Sequence, residues 1–302
     1  MRGDVPNLSV EASIQLPERA LIAYARRVPM SWGKFRLVNA LWRWVAGNDH
    51  TREAHLVYSD YRVACDISEM IQRQLYFFGT YYLERDFLAV WQDRARDSHV
   101  IFDVGANAGI YSLAALSANP DCSVHAFEPT PEIADRLRQT KQRNDLTGLT
   151  IAELAVCEAT GEAQLVQCDG GGGNGGMNFI DPAAARDGGR AVSTTCLDDY
   201  CRNQGIARID LIKVDVQGLE PDVFRGASEL LRDGRIGTIF VELNWGALGE
   251  DSSADQLIEL LDLHGFTFSD ITRAPRWQRR GVWMRSHSDV MARQRTETRG
   301  DH

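Results

Sequence analysis

Hydrophobic and polar positions follow two different periods along most of the chain after residue 98. Short apolar runs typical of buried strands alternate there with segments of helical periodicity. The predicted strands are Val100–Val104, Ser123–Glu128, Leu149–Ala155, Ala163–Gln167, Ile209–Val214, Thr238–Leu243, Thr267–Asp270 and Gly281–Arg285. The predicted helices are Ile110–Ser117, Thr130–Asn144, Thr195–Asn203, Pro221–Arg232 and Ala254–His264. This alternation predicts an α/β fold with a doubly wound, mainly parallel sheet, whose last strand returns antiparallel because no helix precedes it.

The first third of the chain has a different pattern. Residues 55–66 suggest a strand or hairpin, and Ile67–Trp91 suggests helices broken at Gly79. Before them, Arg19–Ala46 is helical in period, is divided by Pro29 and Gly33, and holds six basic residues and no acidic one. Two interpretations stay open for residues 19–46: an amphipathic surface for a membrane or an anionic partner, or a helical layer that packs its tryptophans inward.

These patterns predict three parts of the chain. Residues 1–95 form a basic helical extension, residues 96–290 form the α/β domain and residues 291–302 form a loose tail. Within the domain, Gly170–Gly176 has six glycines in seven positions, so it is expected to be a flexible loop. Either a linker or a lid over the substrate would fit that composition.

The charge of the chain is distributed unevenly. The 302 residues carry a net charge of −9, but residues 99–272 hold 27 acidic and 12 basic side chains, a net of −15. A nucleic-acid partner is therefore not expected, because phosphates would be repelled by that region. The six cysteines show no CxxC pair, and the start of the chain has no apolar leader, so we expect reduced thiols and a cytoplasmic location.

A glycine-rich turn follows the first strand of the α/β domain. It contains Asp103, Gly105, Asn107 and Gly109, with the spacing G-x-N-x-G rather than the G-x-G-x-x-G of dinucleotide sites. Asp103 would repel a diphosphate but suits a cofactor with an ammonium and a sulfonium group. Glu128 ends the next strand, where an acid binds the hydroxyls of a ribose in nucleotide sites. Together these residues predict an S-adenosylmethionine site.

Two further positions extend the predicted cofactor site. Ala155 and Val156 follow the third predicted strand, where they would either form the walls of an adenine pocket or pack in the core.

A second group of polar residues lies at the ends of two later strands. Lys213 and Asp215 share one face of their strand, and Glu242 and Asn244 share one face of the next. A lysine within an apolar strand needs a partner, since an isolated buried charge is costly. Adjacent parallel strands would bring Asp215, Glu242 and Asn244 towards one point at the carboxyl edge of the sheet.

These motifs resemble those of the FkbM family of S-adenosylmethionine-dependent methyltransferases. The resemblance covers about residues 65–285 and departs from the family pattern at Gln217, where a glutamate is usual. The matching segments are Asp103–Gly109 with Tyr111 and Ser112, Phe127–Pro129, Leu197–Asp199, Ile212–Glu220 and Glu242. The resemblance implies a class I methyltransferase fold, Rossmann-like, and transfer of a methyl group to a hydroxyl oxygen of a sugar or natural product.

Three roles remain open for the second group of residues. Asp215 is the preferred general base, and Glu242 would orient the acceptor or share the proton, with Asn244 at the same point. Alternatively, the three side chains would bind a divalent cation that acidifies the hydroxyl. In the third case Asp215 only pairs with Lys213 and has no chemical role.

The sequence also leaves the acceptor open. A small-molecule or carbohydrate acceptor is preferred. A protein or peptide acceptor, or a cofactor-binding module without turnover, are the alternatives.

Overall fold

The computed structural model describes residues 15–29, 32–82, 84–166, 179–181, 190–244, 253–270 and 287–294. Of residues 242–244 and 287–294 it describes the backbone alone. Two compact units divide the chain, Met1–Tyr82 and Leu83–His302. The Gly170–Gly176 loop and the strand predicted at Gly281–Arg285 lie outside the described residues.

The first unit consists of three helices and a hairpin. They are α1 (Leu16–Arg27), α2 (Trp32–Ala46), β1 (Thr51–His55), antiparallel β2 (Arg62–Asp66) and α3 (Met70–Phe78). A buried polar cluster connects them: Glu18 accepts from Arg52 at 2.7 Å and from the hydroxyl of Tyr76 at 2.9 Å. Gly79 ends α3 in a left-handed conformation, which confirms the break predicted there.

Several of the six cations in residues 19–46 make contacts inside this unit, among them Lys34, Arg26 and Arg43, whose guanidinium lies 5.4 Å from the ring centre of Trp42. The buried Lys34 donates to the carbonyls of Ala25 and Val28 at the end of α1 (2.7 and 2.8 Å), where a cation complements the helix dipole. Arg26 donates to the carbonyl of Tyr76 at 3.1 Å, near the end of α3. The basic segment is therefore partly structural.

The second unit is built on a seven-stranded sheet. Its helices are α4 (Arg85–Ala95), α5 (Ile110–Ala118), α6 (Pro131–Arg143), α7 (Leu197–Gln204), α8 (Glu220–Arg225), α9 (Ser228–Arg232) and α10 (Ser253–Leu263). Its strands are β3 (Val100–Val104), β4 (Ser123–Phe127), β5 (Leu149–Ala152), β6 (Ala155–Val156), β7 (Gly161–Val166), β8 (Phe179–Asp181), β9 (Arg190–Thr195), β10 (Ile209–Val214), β11 (Ile236–Asn244), β12 (Phe266–Asp270) and β13 (His287–Gln294).

The strand order of that sheet is β12-β13-β11-β10-β3-β4-β5. The five neighbouring strands β5, β4, β3, β10 and β11 are parallel to one another, whereas β13 is antiparallel to both of its neighbours, β11 and β12. This arrangement confirms the predicted α/β class and the antiparallel last strand. It is the class I methyltransferase order, in which strand order reverses between β3 and β10 and creates a crevice at their carboxyl ends.

Apolar side chains fill both faces of this sheet, as expected for buried parallel strands. On one face Phe240 makes edge-to-face contacts with Phe87 and Trp91 of α4, with ring centroids 5.2 Å apart in each pair. On the other face a buried cluster joins the sheet to α7, α8, α9 and α10. The strand ends are therefore held by packing from both sides.

Three predicted elements differ from the observed ones. The predicted strand Leu149–Ala155 is divided, because β6 leaves the main sheet and pairs with β9 in a four-stranded sheet ordered β6-β9-β7-β8. The predicted helix Pro221–Arg232 is divided into two short helices, α8 and α9, on either side of Gly226. A side chain at Gly226 would overlap the carbonyl of Cys157, so this position needs glycine. Residues His287–Gln294, which form β13, were not predicted as a strand.

Candidate functional site

The glycine-rich turn between β3 and α5 is shaped by three left-handed residues. Gly105, Asn107 and Gly109 have φ angles of 78°, 49° and 75°. A Cβ at Gly105 would overlap the carbonyl oxygen of Asp215, which follows β10. Glycine is required at this position because it lets the ends of β3 and β10 approach each other at the point where strand order reverses.

The backbone amides of this turn are used within the protein. Gly105 and Ala106 both donate to the carbonyl of Phe127, at 3.1 and 2.9 Å, and Asn107 donates to a carboxylate oxygen of Glu128 at 3.0 Å. In dinucleotide sites such amides point at the pyrophosphate instead. The turn therefore does not present the anion cradle that a diphosphate requires.

Asp103 lies at the base of the turn and is fully buried. Its Oδ2 accepts from the amide and the hydroxyl of Ser112 at 2.9 and 2.6 Å. Its Oδ1 has no hydrogen-bond partner among the residues that the structure describes. Burial raises the pKa of this carboxyl group, and nearby Lys213 opposes that shift. An unsatisfied buried acceptor at the carboxyl edge fits the ammonium group of S-adenosylmethionine.

Glu128 holds the turn as well as ending β4. Besides the bond from Asn107, its Oε1 accepts from the amide of Thr130 at 2.9 Å. Each carboxylate oxygen keeps a second lone pair, so ribose hydroxyls could still donate to it. Burial raises the pKa of Glu128. The carboxylate therefore has a structural role that its position in the sequence did not reveal.

Ala155 and Val156 are both buried in β6, directly beyond the end of β5. Val156 belongs to the main apolar cluster, and Ala155 packs with Leu165 and Val192 of the smaller sheet. Their contacts among the described residues are those of core side chains.

Asp215 is held at the carboxyl end of β10 by two donors. Lys213 Nζ is 2.9 Å from Oδ2, and Gln217 Nε2 is 3.0 Å from Oδ1. The side chain of Asp215 remains 28% exposed, whereas that of Lys213 is only 7% exposed. Its carboxylate is thus oriented by the protein while one side stays accessible. Gln217, the departure from the family pattern, takes part directly by donating to Asp215.

Two residues that sequence reasoning did not place in the site surround Lys213. The ammonium lies 4.5 Å from the ring centre of Tyr111, whose hydroxyl donates to Glu84. The carboxylates of Asp215, Asp103 and Glu84 raise the pKa of Lys213, although burial alone would lower it. Lys213 is therefore charged within a predominantly acidic cluster. Tyr111 directly follows the glycine turn, but nothing in the sequence pattern indicated Glu84.

The loop after β10 is fixed by Glu220. Its Oε1 accepts from the amides of Val216 and Gly218, both at 3.1 Å, and the residue is buried at the start of α8. The loop needs this support because Gln217 has a left-handed φ of 57°. Glu220 consequently stabilises the backbone that presents Asp215.

Glu242 and Asn244 lie at the end of β11, next to β10. Val214 of β10 is paired with Val241 of β11, and Asp215 and Glu242 are the next residues of these two chain segments. On the other side of β11, Asp289 is opposite Glu242 and His287 is opposite Asn244. Asp289 and His287 were not expected here, because residues 287–294 were not predicted as a strand.

A metal centre was one of the predicted alternatives for these residues. No group of three or more His, Cys, Asp or Glu side chains that could hold a metal ion occurs among the described residues. The side chains of Glu242 and Asn244 lie outside that description.

Comparisons with known proteins agree with this geometry. The sequence model described as the methyltransferase FkbM domain matches residues 103–268, from the buried Asp103 to β12. The 31-O-demethyl-FK506 methyltransferase FkbM of Streptomyces tacrolimicus is 30% identical over 200 residues, 57% of this chain and 74% of that protein.

Two other relatives are matched over a smaller share of their length. The 2-O-methyltransferase NoeI of Sinorhizobium fredii is 31% identical over 148 residues, 45% of this chain and 60% of NoeI. The hexuronic acid methyltransferase AglP of Haloferax volcanii is 24% identical over 175 residues, 56% of this chain and 65% of AglP. The domain match, which spans more than half of the chain, shows together with the strand order that this protein belongs to the FkbM family of methyltransferases.

Proposed function

We propose that this protein transfers a methyl group to a hydroxyl oxygen of a small-molecule, sugar or natural-product acceptor. The relatives named for O-methylation and for hexuronic acid methylation support this acceptor class. The observation that carries the proposal is the partly exposed Asp215, oriented by Lys213 and Gln217 beside the glycine turn. A hydroxyl placed there would meet a fixed carboxylate at the point where strand order reverses.

The residues of the turn would hold the cofactor. Asp103 would accept a hydrogen bond from the amino group through Oδ1, and Gly105, Asn107 and Gly109 would shape the wall of the site. Glu128 would accept from the ribose hydroxyls. When bound, S-adenosylmethionine supplies an electrophilic methyl group on a sulfonium sulfur.

Ala155 and Val156 would then border the adenine from β6. Their buried side chains offer an apolar, uncharged wall.

Asp215 would act as the general base. The acceptor hydroxyl must lose its proton as its oxygen forms the bond to the methyl carbon, and a carboxylate within hydrogen-bond reach accelerates such a step by about 10²–10⁴-fold. Lys213 and Gln217 each donate to one oxygen of the carboxylate, and these two bonds would orient it for the incoming proton. Glu242 and Asn244 would orient the acceptor from β11.

The test is methyl transfer from labelled S-adenosylmethionine to a panel of hydroxylated acceptors, with cofactor affinity measured separately by calorimetry. Asp215→Asn should bind S-adenosylmethionine as the unmodified protein does and lose about 10²-fold or more of its rate. Asp222→Asn is the matched control, because this half-buried carboxylate of α8 is paired with Arg225 and is exposed to a similar extent as Asp215. Unchanged transfer by Asp215→Asn would disprove the base assignment, and transfer to peptides alone would disprove the acceptor class.

A metal-assisted alternative is separated by chelation. If Asp215 acts as a base, EDTA leaves the rate unchanged, whereas a cation held by Asp215, Glu242 and Asn244 would make the rate depend on added Mg²⁺. Recovery of activity by Mg²⁺ after EDTA treatment would replace the base with a metal site.

A further inference from the structure

One face of α2 combines exposed apolar side chains with exposed arginines. Leu37, Leu41 and Trp44 follow each other at i, i+4 and i+7, so they form one row along the helix. Their exposed fractions are 41%, 37% and 78%. Six of the seven large apolar side chains that are exposed among the described residues lie in the first unit, and this row is the part arranged on a single helix face.

The opposite face of the same helix accounts for the packing of α2. Phe35, Val38, Trp42 and Val45 are buried, and Trp42 contacts His50 edge-to-face at 5.3 Å. The helix therefore has a complete inner face, and the outer row is not needed for the core of the unit. Trp42 fits the expectation that tryptophans pack inward, whereas Trp44 fits the expectation of an amphipathic surface.

Exposed arginines border the outer row. Arg36 and Arg43 lie together on one side of the row, about 100–120° from it around the helix axis, and the guanidinium of Arg43 also lies 5.4 Å from the ring centre of the buried Trp42. Between Arg19 and Ala46 the chain has no acidic residue. An apolar row with a basic flank is the pattern of a helix that lies in the interface of an anionic membrane, with a tryptophan at the level of the headgroups.

We propose that the outer face of α2, formed by Arg36, Leu37, Leu41, Arg43 and Trp44, docks the protein on an anionic lipid surface. Charge complementarity favours this partner over a second copy of the chain. In a two-fold contact with antiparallel α2 helices, Arg36 and Arg43 of one copy would lie on the same side as those of the other, which is unfavourable. No helix of the described residues is long and apolar enough to span a membrane, so the contact would be peripheral.

The experiment uses the full chain in vesicle flotation. Vesicles of phosphatidylcholine alone are compared with vesicles containing about one-third phosphatidylglycerol, at low and high salt. The expected result is binding to the anionic vesicles that weakens as salt rises. Trp44→Ala should weaken this binding by about tenfold, and Arg36→Gln with Arg43→Gln should weaken it by about fivefold for each arginine.

Leu263→Ala is the matched control, because this leucine is 80% exposed on α10 in the second unit. It should leave vesicle binding unchanged. Equal binding of the control and Trp44→Ala proteins would overturn the proposal, as would absence of binding to anionic vesicles. So would a dimer, observed by sedimentation, that Trp44→Ala dissociates. These outcomes are independent of methyl transfer, which all of the variants should retain.

Discussion

The contact between Gly105 and the backbone of Asp215 joins the two halves of the site. Gly105 combines a φ of 78° with a position where any side chain would meet the carbonyl oxygen of Asp215. The amide of Asp215 in turn donates to the carbonyl of Val104 at 3.1 Å. The turn that would hold the cofactor and the loop that presents the carboxylate are therefore one rigid backbone structure.

Gly105→Ala should consequently weaken cofactor binding and displace the carboxylate of Asp215. The left-handed conformation costs a non-glycine residue about 1–2 kcal/mol, and relief of the overlap must also separate β3 from β10. We expect at least a tenfold loss of affinity for S-adenosylmethionine, measured by calorimetry. Gly205→Ala is the control, because Gly205 has a φ of 68° but nothing within 4 Å of its Cβ position. Equal cofactor affinity of the two variants would show that the overlap is unimportant.

Lys213 is the residue most sensitive to charge removal. Lys213→Met keeps the length of the side chain but leaves Asp215 without its cation and places methionine beside Tyr111. We expect a loss of stability of about 1–3 kcal/mol, because charged hydrogen-bonded groups lose their partner. The rate of methyl transfer should fall more than the affinity for the cofactor. Its pH profile should also shift to higher pH, since an unpaired carboxylate binds a proton more readily.

Lys213→Arg, which keeps the charge, should restore part of the stability and of the pH profile. A Lys213→Met protein with an unchanged pH profile would show that Lys213 does not control the ionisation of Asp215.

At the scale of elements, the family motif Leu197-Asp198-Asp199 has a structural role. Leu197 is buried at the start of α7, whereas Asp198 accepts from the amides of Glu229 and Leu230 (2.8 and 3.0 Å) at the start of α9. Asp199 accepts from the hydroxyl of Thr160 at 2.6 Å. The motif thus connects α7 to α9 and to the loop before β7, remote in sequence from the site.

Asp198→Ala should therefore destabilise the protein without changing its chemistry. Loss of a carboxylate that caps a helix costs about 0.5–2 kcal/mol. We expect the urea midpoint to fall accordingly while the rate per folded molecule stays unchanged. Asp233→Ala, which removes only a surface ion pair with Arg232, is the control and should have a much smaller effect. A selective loss of rate in Asp198→Ala would instead place the motif in the site.

At the scale of the whole molecule, buried titratable groups give opposite dependences of stability on pH. Burial lowers the pKa of His125, whose ring lies between Ser123 and Tyr200 and is 2.9 Å from the Tyr200 hydroxyl. Burial raises the pKa of Asp103 and Glu128. Acidification therefore penalises the folded state through His125. Acidification favours the folded state through Asp103 and Glu128. Their contribution to the free energy of unfolding is lost as the pH rises through the pKa values of these groups in the folded protein.

His125→Gln separates the two contributions. Above about pH 6.5 the histidine is neutral in both states, so its pKa shift has no effect. Below that pH the unfolded chain takes up a proton that the folded protein resists, and the free energy of unfolding falls. Urea unfolding at several pH values should show the unmodified protein losing more stability than the variant between neutral and acidic pH. Parallel losses would contradict the assignment.

Much of the fold could be predicted from local pattern. The glycine turn, the ends of β3, β4 and β10, and the antiparallel last strand follow from apolar runs, from glycines and from the lack of a predicted helix between the last two predicted strands. The four-stranded sheet could not be predicted, because β6 and β9 pair across 38 residues of sequence between Ala155 and Thr194. The break at Gly226 could not be predicted either. Gly226 lies against the carbonyl of Cys157, and this contact joins segments that are distant in the sequence.

The sequence by itself determined the family and the α/β class and predicted a position for the site, because the residues concerned are adjacent along single strands and turns. Only the tertiary structure decided what individual side chains do. It showed that Glu128 accepts from the amide of Asn107, that one buried oxygen of Asp103 has no partner among the described residues, and that Tyr111 and Glu84 surround Lys213. These properties depend on atoms that meet across separate strands and helices. The distribution of acidic charge along the chain predicts that nucleic-acid phosphates are repelled. The packing of the folded chain decides which carboxylates are buried and which, such as Asp215, stay accessible to an acceptor.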